Sequence, residues 1–173
     1  MSFIKNNKDS KTYAPGYFLA HEECVRETKE IAQNSALAKT LDNGAKYVPM
    51  GTAYPTNDGN AVGIVYEDVD VSTGNMPGSV VTRGVVIEDR LAVTGESYNS
   101  VTPQTGDNPT EKGWYERSGS AGAYVYTLTT DTTVGEGKTY YAKSDIKLAS
   151  AAKSALTALG FKFVSEPTVT RPY

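Results

Sequence analysis

"AVGIVYEDVDVSTGNMPGSVVTRGVV", residues 61–86, decides how this chain folds. Val62-Gly63-Ile64-Val65-Tyr66 reads as a strand, and so does the run from Val80 to Ile87, since both are rich in β-branched residues. Gly74, Pro77 and Gly78 punctuate the connection between them. An antiparallel hairpin is the economical reading. If it closes near Asn75, Asp68 lies opposite Arg83 on one face, and a cross-strand ion pair explains both charges. An exposed pair of that kind contributes at most about 1 kcal/mol.

The acidic residues Asp68 and Asp70, with Ser72 and Gly74, also resemble the start of a calcium loop. Such a loop needs glycine at its sixth position and a bidentate glutamate at its twelfth. Counted from Asp68, those positions hold Thr73 and Ser79, so the motif fails twice and no metal is expected. "GTAYPTNDGNAVG" lacks both the Lys-Ser/Thr of a phosphate loop and the spacing of a dinucleotide fingerprint, and reads as a turn.

On the N-terminal side, residues 1–12 are polar and read as a tail. In residues 13–41, Val25, Thr28, Ile31 and Ala32 fit helical spacing, while Val25 and Ile31 also fit one side of a strand. Apolar content is low either way, which predicts an arm that needs something else to lie on. His21, Glu22, Glu23 and Cys24 are adjacent, but the chain has no second histidine for a zinc site and no separate base for a thiol nucleophile.

On the C-terminal side, Leu148, Ala152, Ala155, Leu156 and Leu159 form one apolar stripe at helical spacing. Asp145 is placed to cap the start of that helix and Gly160 to end it. "FKFV" then alternates as a short strand. Residues 98–144 differ in composition, holding six of the twelve tyrosines and the single tryptophan, Trp114, but no phenylalanine. "GWYER", "AYVYTLTT" and "GKTYYAK" predict a three-stranded β meander inserted into the surrounding domain. Trp114, Tyr115, Tyr124 and Tyr141 are its candidate ligand-binding residues, set against the plainer reading that so small a module needs its aromatics for a core.

The bulk properties narrow the function classes. A net charge of −3 and a pI near 5.2 lack the basic stripe of a nucleic-acid binder. No run approaches the roughly 18 apolar residues of a membrane span, and "MSFIKNNKDSK" is too polar for a secretory signal. One cysteine excludes an intrachain disulfide and fits synthesis in a reducing cytoplasm. No acid, base and nucleophile converge, so the expectation is a non-enzyme with no cofactor.

"KYVPMGTAYPTNDGNAVGIVYEDVDV", "GSVVTRGVVIEDRL" and "ASAAKSALTALGFKFV" together resemble the head decoration proteins of tailed bacteriophages, the lambda decoration-protein type. The resemblance covers roughly residues 13–92 and 146–173 and rests on β pattern and glycine positions. It implies a mainly β (α+β) fold: a compact decoration domain formed by residues 42–97 and 145–173 with a C-terminal helix, while the module inserted at 98–144 departs from the family's shortest members. It further implies a homotrimer on the outer surface of the virion capsid, partnered by the major coat protein. Residues 1–41 would be the capsid-binding arm, with Tyr17, Phe18, Leu19, Val25 and Ile31 as contacts. A receptor- or glycan-binding surface module, working through the Tyr-rich insertion, is the alternative.

Overall fold

The computed structural model describes residues 13–167, and the chain divides into two compact units. One contains the described residues up to Thr94 and from Lys147; the other is Gly95–Ile146. The division therefore falls a few residues outside the expected 98–144.

The first unit begins with strands β1 (Val25–Ile31), β2 (Lys39–Thr40), β3 (Lys46–Val48) and β4 (Ala53–Tyr54). β5 (Gly63–Val65), β6 (Val69–Asp70), β7 (Met76–Arg83) and β8 (Val85–Ile87) follow, and a 3-10 turn at Glu88–Arg90 closes this half. The second unit contributes β9 (Gly95–Val101), β10 (Tyr115–Ser118), β11 (Val125–Leu128) and β12 (Tyr140–Ile146). The chain then returns to the first unit with helix α1 (Ser150–Ala158) and β13 (Lys162–Val164). Among the described residues the protein is mainly β with one helix, α1, towards the C-terminus.

The antiparallel sheet β1-β7-β5-β4 organises the first unit. Its central register pairs Ile64 with Val81 and Val65 with Val80. Ile64 and Val81 face a core with Phe18, Val86, Leu156 and Phe161; Val65 and Val80 face another with Ile31, Val48, Val69 and Val71. Burial on both faces explains why these strands read as continuous β-branched runs rather than alternating ones. The connection from β5 to β7 makes a detour, because β6 pairs with β3 in a separate sheet, β2-β3-β6. The acidic stretch is thus a short strand of its own rather than the end of a hairpin. "FKFV" forms β13 as expected and lies parallel to β8, with Phe163 opposite Val86.

The helix is shorter than its pattern, starting at Ser150 because Asp145 belongs to β12, opposite Glu96. Asp145 is therefore not its cap. Asn57 acts there instead: its Oδ1 accepts the Ala149 N–H at 2.9 Å, satisfying an orphan donor from a loop far away in sequence. Gly160, at φ +95°, ends the helix in the left-handed conformation that glycine adopts without strain. Ala152 and Leu156 are buried, while Leu159 drops out of the stripe and is half exposed.

In the second unit the three expected strands are joined by β9, in the order β11-β10-β12-β9, all antiparallel. Glu116 and Tyr140 are directly opposite and so share a face with Trp114; the core there is Trp114, Tyr140, Pro109 and Thr129. The ladder β9–β12 sets Gly95 beside Ile146, so chain entry and exit are adjacent. Replacing residues 95–146 by a short Gly/Ser linker should consequently leave the first unit folded, since closing a short loop costs little. A cooperative thermal transition with the β signal of the first unit is the expected result. Loss of that transition would mean that the first unit's cores do not stand alone.

Candidate functional site

The acidic residues of the 61–86 stretch serve the backbone. Asp68 Oδ1 accepts the Met50 N–H at 2.7 Å, and Asp70 Oδ1 accepts the Ser72 N–H at 2.9 Å. The Ser72 contacts hold the Asp70 carboxyl below the usual carboxylate range, as bonds to a charged form do. Ser72 Oγ in turn accepts the Lys46 N–H at 2.8 Å, which ties this turn to β3. Arg83 is opposite Val25 in the β1–β7 ladder, with Nε 3.2 Å from where a Cβ on Gly160 would sit. The Asp68–Arg83 ion pair does not form. Extending the observed register places Arg83 near Val62, because the chain spends the residues after Tyr66 on β6 rather than on a tight turn.

The segment 13–41 is not a separate arm. Phe18 is fully buried and Ile31 nearly so, one in each core of the first unit. β1 pairs with β7 over its whole length, and Leu19 bridges Val86. Main-chain bonds add to this: Gly16 N–H to Tyr66 O, Ala20 N–H to Val85 O and Ile87 N–H to Phe18 O, at 2.8–2.9 Å. Tyr17 and Leu19 are half buried, so of the five expected contact residues only Val25, 50 % exposed, presents most of its side chain to solvent. Low apolar content misleads here because a strand is held mainly by its ladder, and two deep side chains suffice to anchor it.

The "EDRL" turn gathers several distant parts of the first unit. Glu88 pairs with Lys153 on α1, and Arg90 pairs with Glu166. Arg90 also donates to Tyr17 O at 3.2 Å and stacks over the Tyr17 ring, 4.5 Å from its centroid. Lys147 Nζ donates to Asp89 O at 2.6 Å, and Glu166 N–H to Asp89 Oδ2 at 3.1 Å. Hydrogen bonding from Arg90 holds the Glu166 carboxyl below its ordinary range. These are surface contacts that fix register, and solvent screening leaves each of them a small contributor to stability. The acidic motif was visible in sequence, whereas its partners, scattered from residue 17 to residue 166, were not.

On one face of the second unit's sheet lie Tyr98, Tyr115, Tyr126 and Tyr141 with Arg117. Tyr98 and Tyr126 stack at 4.0 Å with their planes 4° apart, while Tyr115 and Tyr141 meet them edge-on at 5.2 and 5.3 Å. Arg117 lies over Tyr124 (4.2 Å) and Tyr141 (5.0 Å). A shallow polar hollow of about 290 Å³ lies beside them, lined by Glu116, Arg117, Lys138, Thr139 and Tyr141. The opposite face is a closed network. Asp131 Oδ2 accepts Lys138 Nζ at 2.7 Å and the Tyr140 hydroxyl at 2.6 Å; Glu116 accepts the Thr129 hydroxyl at 2.6 Å. Lys138, ahead of Tyr140, holds the Asp131 carboxyl below its usual range.

Of the expected ligand-binding set, Trp114 is a core residue and Tyr141 is buried, only 7 % exposed. Tyr115 is half buried, and Tyr124 alone is exposed. Tyr98 and Tyr126, central to the aromatic cluster, were missed; the period-2 pattern places them on this face only once the strand register is known. Among the described residues no three of His, Cys, Asp and Glu converge as a metal set, and no helix is long and apolar enough to cross a membrane. No protein-family model matches this chain, and no curated protein or solved structure matches it.

Proposed function

We propose that this protein is a capsid decoration protein of a tailed bacteriophage, binding the outer face of the mature head as a homotrimer and cementing it. The observation that supports this reading is the order of elements within one compact unit. A glycine-rich turn enters the "AVGI" strand β5, β7 returns beside it, the "EDRL" turn follows, and α1 and β13 complete the same cores after the second unit. That is the sequence of elements the resemblance implies, carried through an insertion that leaves it intact.

The mechanism is mechanical. A rigid body holding three identical contact surfaces touches several coat subunits at once, and each weak contact raises the effective concentration of the others. Cyclic symmetry matches a threefold position on the shell. With Phe18 and Ile31 inside the protein, the coat contact falls to exposed groups of the same segment, Tyr13 (44 % exposed) and Val25 on the edge strand β1.

Cosedimentation with mature capsids of the phage that encodes the chain tests this. Binding should saturate at three copies per local threefold position, and Val25→Lys should weaken it without unfolding the protein. Absence of saturable binding by the wild-type chain would end the decoration reading; unchanged binding by the variant would move the contact away from β1.

A further inference from the structure

The second unit's sheet ends in two edge strands, and edge strands expose unpaired N–H and C=O groups that proteins usually guard with charge, proline or cover. The first unit follows that rule: its edge strand β1 carries Arg26, Glu27, Lys29 and Glu30. β9, at one end of the second sheet, carries Glu96. β11, at the other end, carries nothing of the kind. From Ser118 to Thr130 the sequence SGSAGAYVYTLTT has no charged residue and no proline. Its apolar side chains nevertheless stand in solvent, with Tyr124, Val125 and Leu128 exposed to 42, 58 and 51 %.

The backbone of this edge has a definite phase. Thr129 N–H donates to Trp114 O at 2.9 Å, so residues 114 and 129 are a hydrogen-bonded pair of the β10–β11 ladder. Antiparallel pairs alternate, which makes 116 with 127 and 118 with 125 the next hydrogen-bonded pairs. Val125 and Thr127 therefore turn their backbone groups towards β10. Tyr124, Tyr126 and Leu128 turn theirs outward, to the open edge.

We propose that β11 pairs antiparallel with β11 of a second copy of this chain, about a two-fold axis centred on Tyr126. The outward backbone groups fit that register, which is the one that engages Tyr124, Tyr126 and Leu128 all together. Tyr126 then faces Tyr126 of the second copy, Leu128 faces Tyr124, and Val125 faces Thr127. Each is an aromatic, aliphatic or β-branched pairing of the type that stabilises sheets. No charge meets a like charge, because the flanking Arg117 and Asp131 lie beyond the uncharged stretch. The edge is complementary to itself, which is the requirement for a two-fold contact, and the two four-stranded sheets become one.

Sedimentation equilibrium of the full chain over a range of concentrations tests the pairing and its register together. In Val125→Lys/Thr127→Lys, like charges meet at both crossings of the axis; in Val125→Glu/Thr127→Lys, opposite charges meet there, and in both variants the residue at 127 opposite Glu116 is a lysine. Both positions are exposed, and circular dichroism should be the same for all three proteins. The wild type should reach at least twice the mass of the double-lysine protein, whose self-association is weakened about tenfold or more, and the glutamate/lysine protein should keep that gain. Equal masses for wild type and double-lysine protein would overturn the proposal, as would a glutamate/lysine protein no more associated than the double-lysine one. A heterologous strand as the natural occupant would give the first of those results. A monomeric base doubles its mass, a trimeric base with three such edges at least doubles it, and in either case the comparison with the double-lysine protein does not depend on capsid binding.

Discussion

Phe18→Ala should lower the stability of the first unit by about 3–5 kcal/mol, the usual range for emptying a buried phenylalanine site. Phe18 is fully enclosed by the core that holds Ile64, Val81, Val86, Leu156 and Phe161, and its carbonyl accepts the Ile87 N–H at 2.8 Å. Neighbouring contacts limit collapse into the vacancy: Leu19 bridges Val86 on one side, and Arg90 holds the Tyr17 carbonyl on the other. Domain stabilities are only about 5–15 kcal/mol, so this one change removes a large share of the total. Thermal unfolding followed by circular dichroism should show the first unit melting roughly 12–20 °C lower. Tyr13→Ala, at an exposed position five residues earlier, should melt like wild type and serves as the comparison. If Phe18→Ala behaved like Tyr13→Ala, the segment would be an adaptable arm after all. The same contacts predict that deleting residues 1–41 does not leave a folded unit, because β7 would lose the partner that covers its edge and Ile31 would leave the second core.

Gly63→Ala is expected to be nearly as damaging for the opposite reason. A Cβ on Gly63 would lie 2.5 Å from Val80 Cγ1 and 2.5 Å from the Val81 carbonyl oxygen. A side chain can rotate aside, but a backbone carbonyl in the middle of a ladder cannot. The added methyl must push β5 away from β7, where both faces of the sheet are already packed. Overpacking of this kind costs about 1–3 kcal/mol and occasionally more, and the fixed carbonyl puts this site at the upper end. Urea denaturation should show a lower midpoint with an unchanged slope, the signature of lost stability without altered compactness. Gly59→Ala, where an added Cβ meets nothing within 4 Å and the backbone is not left-handed, should leave the midpoint near wild type. Equal midpoints for the two variants would show that β5 and β7 do not approach as closely as the structure places them.

These two sites mark the limit of what could be read from the chain alone. The strands around Ile64 and Val81 were legible because runs of β-branched residues between glycine and proline breaks allow little else. The helix, its glycine terminus, the β13 strand and the aromatic strands of the second unit were legible for similar local reasons. All of these are statements about neighbours in sequence.

Register, partners and depth depend on contacts that the sequence does not order. Asp68 and Arg83 were placed together on the assumption of a direct hairpin, but β6 leaves the hairpin to pair with β3, and the Asp68 and Asp70 carboxylates serve backbone donors. Asp145 has the chemistry of a cap, yet the β9–β12 ladder claims it and Asn57 supplies the cap from another loop. Trp114 was eligible for an exposed platform until its face of the sheet became the core. The sequence by itself determined the strands around Ile64 and Val81, the C-terminal helix with its glycine end, β13 and the three aromatic strands, since side-chain shape and backbone freedom act within a few residues. It left residues 25–31 open between helix and strand. Tertiary structure alone decided that Phe18 and Ile31 belong to the cores and that the β11 edge stays bare, because burial depends on what the other face of each strand meets.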